Sequence, residues 1–123
     1  MKVALVTGGA TGIGAATVEA LAAEGIAVAI QYSSSKAQAE GLASKLKLAG
    51  SKVEIFQSDL TKSDSANTLV SDVKKSLGEI DILINNAGLM SDASIIQMSD
   101  QLWDEAININ LTASFKLMRA CAP

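Results

Sequence analysis

The chain has 123 residues, a formal net charge of −3, and 49% hydrophobic but only 3% aromatic residues. It is long enough for one buried core built from Ala, Val, Ile and Leu, and too short for several. Its charge disfavours a general nucleic-acid surface, which needs clustered Lys and Arg. With no His, a histidine base or histidine metal site is excluded, and no metal site is expected. The single Cys121 cannot form an internal disulfide and fits a reducing cytoplasm. No apolar run approaches the ~20 residues of a membrane span. The start, Met1-Lys2-Val3, leads directly into a strand, so no signal peptide is expected.

The first predicted strand is Val3 to Val6, an unbroken apolar run suited to a parallel strand covered on both faces. It enters a turn with Gly8, Gly12 and Gly14 in the spacing G-x-x-x-G-x-G. That spacing differs from the dinucleotide fingerprint G-x-G-x-x-G. The turn opens on a helix whose free N–H groups and positive dipole end would face an anion such as a pyrophosphate. The same glycines also suit tight strand-to-helix packing, and the loop alone leaves both readings open.

The helix is predicted from Ile13 to Glu24, with Ile13, Ala16 or Thr17, Ala20 and Leu21 on its inner face and Gly25 as its stop. A second strand, Ile26 to Ile30, completes a βαβ unit of the usual size. After the loop Ser33-Ser34-Ser35, a helix from Lys36 carries Ala39, Leu42, Leu46 and Ala49 inward and stops at Gly50. A third strand, Val53 to Phe56, ends near Ser58-Asp59. A third helix, Asp64 to Leu77, shows the stripe Ala66, Leu69, Val70, Val73 and Leu77. The fourth strand, Ile80 to Ile84, closes on Asn85-Asn86-Ala87-Gly88. A last helix is predicted from Asp100 to Ala120 with Ser99 as its cap. Strands alternating with helices predict an α/β fold, a doubly wound parallel sheet of order 3-2-1-4 with helices on both faces.

Read together, these residues resemble the short-chain dehydrogenase/reductases. Thr7-Gly8-Gly9-Ala10-Thr11-Gly12-Ile13-Gly14 matches that family's TGxxxGIG loop, and Asn85-Asn86-Ala87-Gly88 matches its NNAG motif. Asp59 falls where the family has an Asp at the adenine. Trp103 and Asn108-Ile109-Asn110-Leu111-Thr112 resemble the helix of its catalytic Asn, which falls on Asn110. Gly88 to Phe115 looks most like the β-ketoacyl-ACP reductase branch, which works in fatty acid biosynthesis. The resemblance implies a single NAD(P)-binding Rossmann domain over residues 1–123, incomplete at its C-terminus. It implies that Gly8, Gly9, Ala10, Thr11, Gly12, Ile13 and Gly14 hold the pyrophosphate and adenosine ribose. Asp59 and Leu60 would flank the adenine, and Asn86, Ala87 and Gly88 would line the ribose side. Asn85 also reads as a turn residue satisfying strand-end backbone groups. Met90 and Asp92 follow this motif toward the cleft without an assigned role.

The end of the second strand, Gln31-Tyr32-Ser33, has no carboxylate to hold a ribose 2′-OH. The hydroxyls of Ser33, Ser34 and Ser35, with Lys36, suit a 2′-phosphate, which favours NADP over NAD. Thr11 stands where many NADP-preferring relatives have a basic residue, and Lys36 also reads as a solvated helix start.

The family's Ser and Tyr-x-x-x-Lys follow a fifth strand, and the 123 residues hold no such segment after the fourth. Tyr32-Ser33-Ser34-Ser35-Lys36 fits the pattern but lies at the adenosine end, in a polar loop, and is rejected as the catalytic pair. Asn110 is the one member of the catalytic set present. The reading is thus the N-terminal cofactor-binding portion of an NADP-dependent carbonyl reductase, with a small-molecule or acyl-carrier-bound carbonyl substrate in the complete enzyme. The alternative is a non-catalytic dinucleotide-binding or interaction module. The fourth strand is expected at a sheet edge. Trp103, Ile107, Leu111, Phe115 and Met118 are expected on an outward face, and a homo-oligomer is expected.

Overall fold

The structure is a computed structural model and describes residues 1–88 and 94–122. Met90 and Asp92 lie outside the described residues. Four parallel strands form one sheet: β1 (Val3–Val6), β2 (Ala27–Tyr32), β3 (Val53–Gln57) and β4 (Ile82–Ile84), in the order β3-β2-β1-β4. The expected topology is the observed one. β1 pairs with β2 from Val3 opposite Ala27 to Val6 opposite Ile30, and with β4 from Ala4 opposite Ile82 to Val6 opposite Ile84.

Alternation along these strands divides the core into two layers. On one side, Val3, Leu5, Ala27 and Ala29 meet α3 (Ser65–Leu77) and α5 (Ala113–Cys121) through Leu69, Val70, Val73 and Leu117. On the other, Val6, Val28, Ile30 and Val53 meet α1 (Gly12–Ala23) and α2 (Lys36–Leu48) through Val18, Ala22, Leu42 and Leu46. Leu5, Ile30 and Leu117 are among the largest fully buried side chains. Burying each contributes roughly 1.5–3 kcal/mol. The sheet is therefore covered on both faces, as its continuous apolar strands require.

Three local expectations are corrected. Along α1 the buried line is Gly14, Val18 and Ala22, whereas Ile13 is 80% exposed. The helix enters so close to the turn that only glycine fits on its inner face there, which rotates Ile13 outward. Ala49 is exposed because it caps the end of α2. The last helix is not continuous. It divides into α4 (Asp100–Ile107), a π-helical turn (Asn108–Thr112) and α5. Ser99 does cap α4, its hydroxyl oxygen accepting the Leu102 N–H at 3.1 Å.

At the edge, β4 starts at Ile82 rather than Ile80, because Asp81 makes a closed pair with the start of β1. The Asp81 N–H donates to the Val3 carbonyl at 2.8 Å, and the Asp81 carboxylate accepts the Val3 N–H at 2.9 Å. On the α4–α5 side, Trp103, Ile107, Leu111, Phe115 and Met118 are exposed, as expected. No helix among the described residues is long and apolar enough to cross a membrane.

Candidate functional site

The four strands run in one direction, so their carboxyl ends gather at one edge, where open α/β sheets place their ligand crevice. A cleft of about 450 Å³ lies there. Each strand contributes a wall: Gly8 after β1, Ser33 after β2, Asp59 after β3 and Asn86 after β4. The cleft also straddles the switch point of the sheet, since β1 connects outward to β2 while β4 lies on its other side.

The β1 turn is shaped by two glycines. Gly8 has φ of +62°, a left-handed conformation that other residues adopt only with strain. Gly14 is buried under the turn. A β-carbon on it would collide with the Gly8 carbonyl oxygen and come within 2.6 Å of Asn86 Nδ2. This close approach brings the start of α1 against the turn. Thr11 stands at the N-cap without a side-chain hydrogen bond to the helix, and the first turn holds no acidic residue. The N–H groups of that turn and the positive end of the helix dipole therefore meet no carboxylate from their own helix.

The opposite wall is tied to the turn by Thr7, which is 1% exposed. Its hydroxyl oxygen accepts the N–H groups of Asn86 and Ala87, both at 3.0 Å, and its O–H donates to the Ile84 carbonyl at 3.4 Å. The Asn86 side chain in turn donates to the Gly8 carbonyl at 3.1 Å. Asn86 is thus committed through both backbone and side chain to holding two loops together.

At the third strand's end, both the hydroxyl and the backbone N–H of Thr61 donate to Asp59 Oδ1. The Thr61 hydroxyl, then the Thr61 N–H, and more weakly the charge of Lys62 hold the Asp59 carboxyl below its ordinary range. At neutral pH Asp59 faces the cleft as a carboxylate, an acceptor for a hydrogen-bond donor such as an amine.

The structure brings Gly8, Ala10, Thr11, Ser33, Asp59, Leu60, Asn86, Ala87 and Gly88 together as cleft lining, with Ser34 and Ser35 beside them. Gly9 lies beneath the turn, where a β-carbon would press on the Val6 carbonyl oxygen, Ile30 and Val18 at 3.1–3.2 Å. Gly12 and Ile13 are exposed at the start of α1. Asn110 sits in the π-helical turn, its Oδ1 next to Gly88: a β-carbon on Gly88 would lie 3.1 Å away. The neighbouring Asn108 donates from Nδ2 to the Thr61 carbonyl at 3.1 Å, docking this turn on the β3–α3 loop.

Lys36 is placed elsewhere. Its ammonium lies 3.8 Å from Glu40 on the exposed surface of α2, and it is not among the lining residues. Tyr32 is 8% exposed at the end of β2, packed with Ala10 and Ala39. A strand residue in a core and a solvated helix-start lysine do not form a Tyr-x-x-x-Lys pair on one helix face. Four lining residues had no assigned role in the sequence: Gln31, Tyr32, Thr61 and Ile109. A buried polar residue in the otherwise apolar strand Ala27–Tyr32 was the available signal for Gln31.

The short chain dehydrogenase family model matches residues 2–123. The 3-oxoacyl-[acyl-carrier-protein] reductase FabG of Staphylococcus epidermidis is 35% identical over 122 residues, 99% of this chain and 50% of that enzyme. A short chain dehydrogenase from Burkholderia cenocepacia, solved in complex with NADP, matches with a TM-score of 0.95 and 35% identity, over 98% of this chain and 49% of that one. A blue fluorescent protein from a metagenomic library, solved in complex with NADPH, matches with a TM-score of 0.94 and 35% identity, over 98% and 50%. The chain spans about half the length of the relatives it matches. With its strand order and its glycine turn, the chain belongs to the short-chain dehydrogenase family.

Proposed function

We propose that this chain is the cofactor-binding half of an NADP-dependent carbonyl reductase, of the kind that reduces 3-oxoacyl groups on an acyl carrier. The observation that carries it is the cleft at the carboxyl ends of all four strands, whose turn excludes any β-carbon at Gly14. The start of α1 suits the pyrophosphate, because its first turn offers backbone N–H groups and carries no acidic residue, and the glycine turn lets a phosphate approach closely. Asp59 and Leu60 suit the adenine, and Asn86, Ala87 and Gly88 the ribose side. Bound NADP supplies the hydride chemistry. The residues of this chain would bind and orient it, with Asn110, next to Gly88, on the nicotinamide side. The two relatives solved with NADP or NADPH support the choice of cofactor.

Specificity for the 2′-phosphate falls to the serines. Ser33, Ser34 and Ser35 line the cleft at the end of β2, no carboxylate stands there to repel a phosphate, and Lys36 is turned toward Glu40. Hydrogen bonds to a charged group contribute ~1.5–3 kcal/mol, so NADP should bind roughly tenfold or more tightly than NAD. Calorimetric titration of the chain with each cofactor measures this. Equal affinities, or tighter NAD binding, would reverse the assignment.

A cytoplasmic location and a homo-oligomeric state complete the proposal. Leu111 at 63%, Trp103 at 58% and Phe115 at 52% exposure form one side of α4–α5 that a second copy would cover. Sedimentation velocity should show association at micromolar concentration. A monomer throughout that range would count against self-association.

A further inference from the structure

We infer that Gln31 is a positioning residue for the adenosine half of the dinucleotide, its buried amide coupling the glycine turn to the β3–α3 loop. The inference rests on the dinucleotide reading and adds a residue to it.

The β1–β2 ladder ends at Val6 opposite Ile30. Gln31 is the next residue of β2, and its side chain takes over where the ladder stops. Oε1 accepts the Gly8 N–H at 2.8 Å, and Nε2 donates to the Ser58 carbonyl at 2.8 Å. Backbone bonds frame the same bridge: the Gly9 N–H donates to the Gln31 carbonyl at 3.0 Å, and the Ser58 N–H to the Tyr32 carbonyl at 2.9 Å. Only one orientation of the amide works, since reversing it would set donor against donor and acceptor against acceptor.

Gln31 is 2% exposed in a strand that otherwise buries Ala27, Val28, Ala29 and Ile30. An amide in such a place costs free energy unless both its ends are bonded, and here both are. Its two partners belong to different walls. Gly8 opens the turn that faces the phosphates, and Ser58 precedes Asp59, which faces the adenine. One rigid side chain fixes the span between them, so a ligand reaching across both walls meets a pocket already set to its length. The bond also occupies the Gly8 N–H, which leaves phosphate contacts to the start of α1.

Two variants and two readouts test this. In the ligand-free chain, Gln31→Met keeps the volume and removes the acceptor, so amide exchange at Gly8 should accelerate at least about tenfold. In the same variant, affinity for adenosine 2′,5′-bisphosphate should fall about tenfold. Gln31→Glu tests the donor. Protonated, its carboxyl offers one acceptor and one O–H, as the amide does. Ionised, it faces the Ser58 carbonyl with a charge. Burial raises the pKa of a carboxyl, so the variant's affinity relative to the unaltered chain should recover between about pH 8 and about pH 5.5. Tyr32 and Asp59, the other titratable groups lining the cleft, and Lys62 beside Asp59, occur in both proteins and cancel in that ratio.

Unchanged Gly8 exchange in Gln31→Met would overturn the coupling itself. Faster exchange with undiminished affinity would overturn its role toward the ligand, as would a pH-independent ratio for Gln31→Glu. Failure of the unaltered chain to bind the bisphosphate would instead sink the dinucleotide reading, and this inference with it.

Discussion

Gly14→Ala is expected to destabilise the chain by roughly 2–4 kcal/mol and to abolish saturable NADP binding. The added methyl meets the Gly8 carbonyl oxygen and Asn86 Nδ2. The first of these is backbone and cannot rotate away. Relief requires α1 to withdraw from the turn, or the turn to withdraw from α1. Withdrawal of the helix loosens Val18 and Ala22 from the sheet, because they share its inner face with Gly14. Withdrawal of the turn breaks the bonds that Gly8 makes to Gln31 and Asn86. Either movement takes the helix N-terminus away from the place where phosphate would sit. Gly41→Ala supplies the contrast, since a β-carbon at Gly41, inside α2, meets no atom within 4 Å. That variant should gain ~0.5–1 kcal/mol from helix propensity. Urea midpoints at unchanged slope measure both effects. A Gly14→Ala midpoint within about 0.5 kcal/mol of the parent would refute the close-approach account.

Which parts of this molecule the sequence disclosed follows from how each part is encoded. Strand order was legible because apolar runs such as Val3–Val6 and Ala27–Ile30 alternate with helical stripes, and right-handed crossovers leave few topologies. Helix ends at Gly25 and Gly50 were legible for the same local reason. The inward face of α1 was not. Small residues on several sides of that helix gave periodicity little contrast, and the contact that decides its rotation is the absence of a side chain at Gly14. The π-helical turn was also hidden. It inserts one residue into a helix without any glycine or proline to mark it, and in the fold it shows in the i−5 bond from the Ala113 N–H to the Asn108 carbonyl.

At the site, the sequence showed residues that announce themselves by motif, and it missed those whose work is done through burial. Asp59 and Asn86 were named from their motifs, and both line the cleft. Gln31 and Thr7 hold the cleft walls from beneath, one from the end of β2 and one from the end of β1. Their importance depends on which backbone groups they satisfy, and only the folded chain specifies those groups. Lys36 read from the sequence both as a phosphate contact beside the serines and as a solvated helix start, and the first turn of α2 presents it to Glu40 on the exposed surface.

Thr7→Val should destabilise the chain by roughly 2–3 kcal/mol, whereas Thr7→Ser should cost only about 1 kcal/mol. Valine has nearly the shape of threonine, so the first variant removes hydrogen bonds without opening a cavity. A hydroxyl has one donor and two acceptor positions, and Thr7 uses all three. The Asn86 N–H retains the Ile84 carbonyl at 3.1 Å, which leaves the Ala87 N–H as the group most exposed to the loss. Burying it without an acceptor costs ~1–3 kcal/mol. Serine keeps the hydroxyl and loses a methyl from a nearly sealed position. Affinity should divide the two variants more sharply than stability does. The Asn86-Ala87-Gly88 wall hangs on the Thr7 oxygen, so Thr7→Val should weaken NADP binding by about tenfold or more while Thr7→Ser stays within about threefold. If the two variants bound NADP equally, the wall would be held by the β1–β4 ladder and the Asn86 side chain, and the hydroxyl would have no part in forming the site.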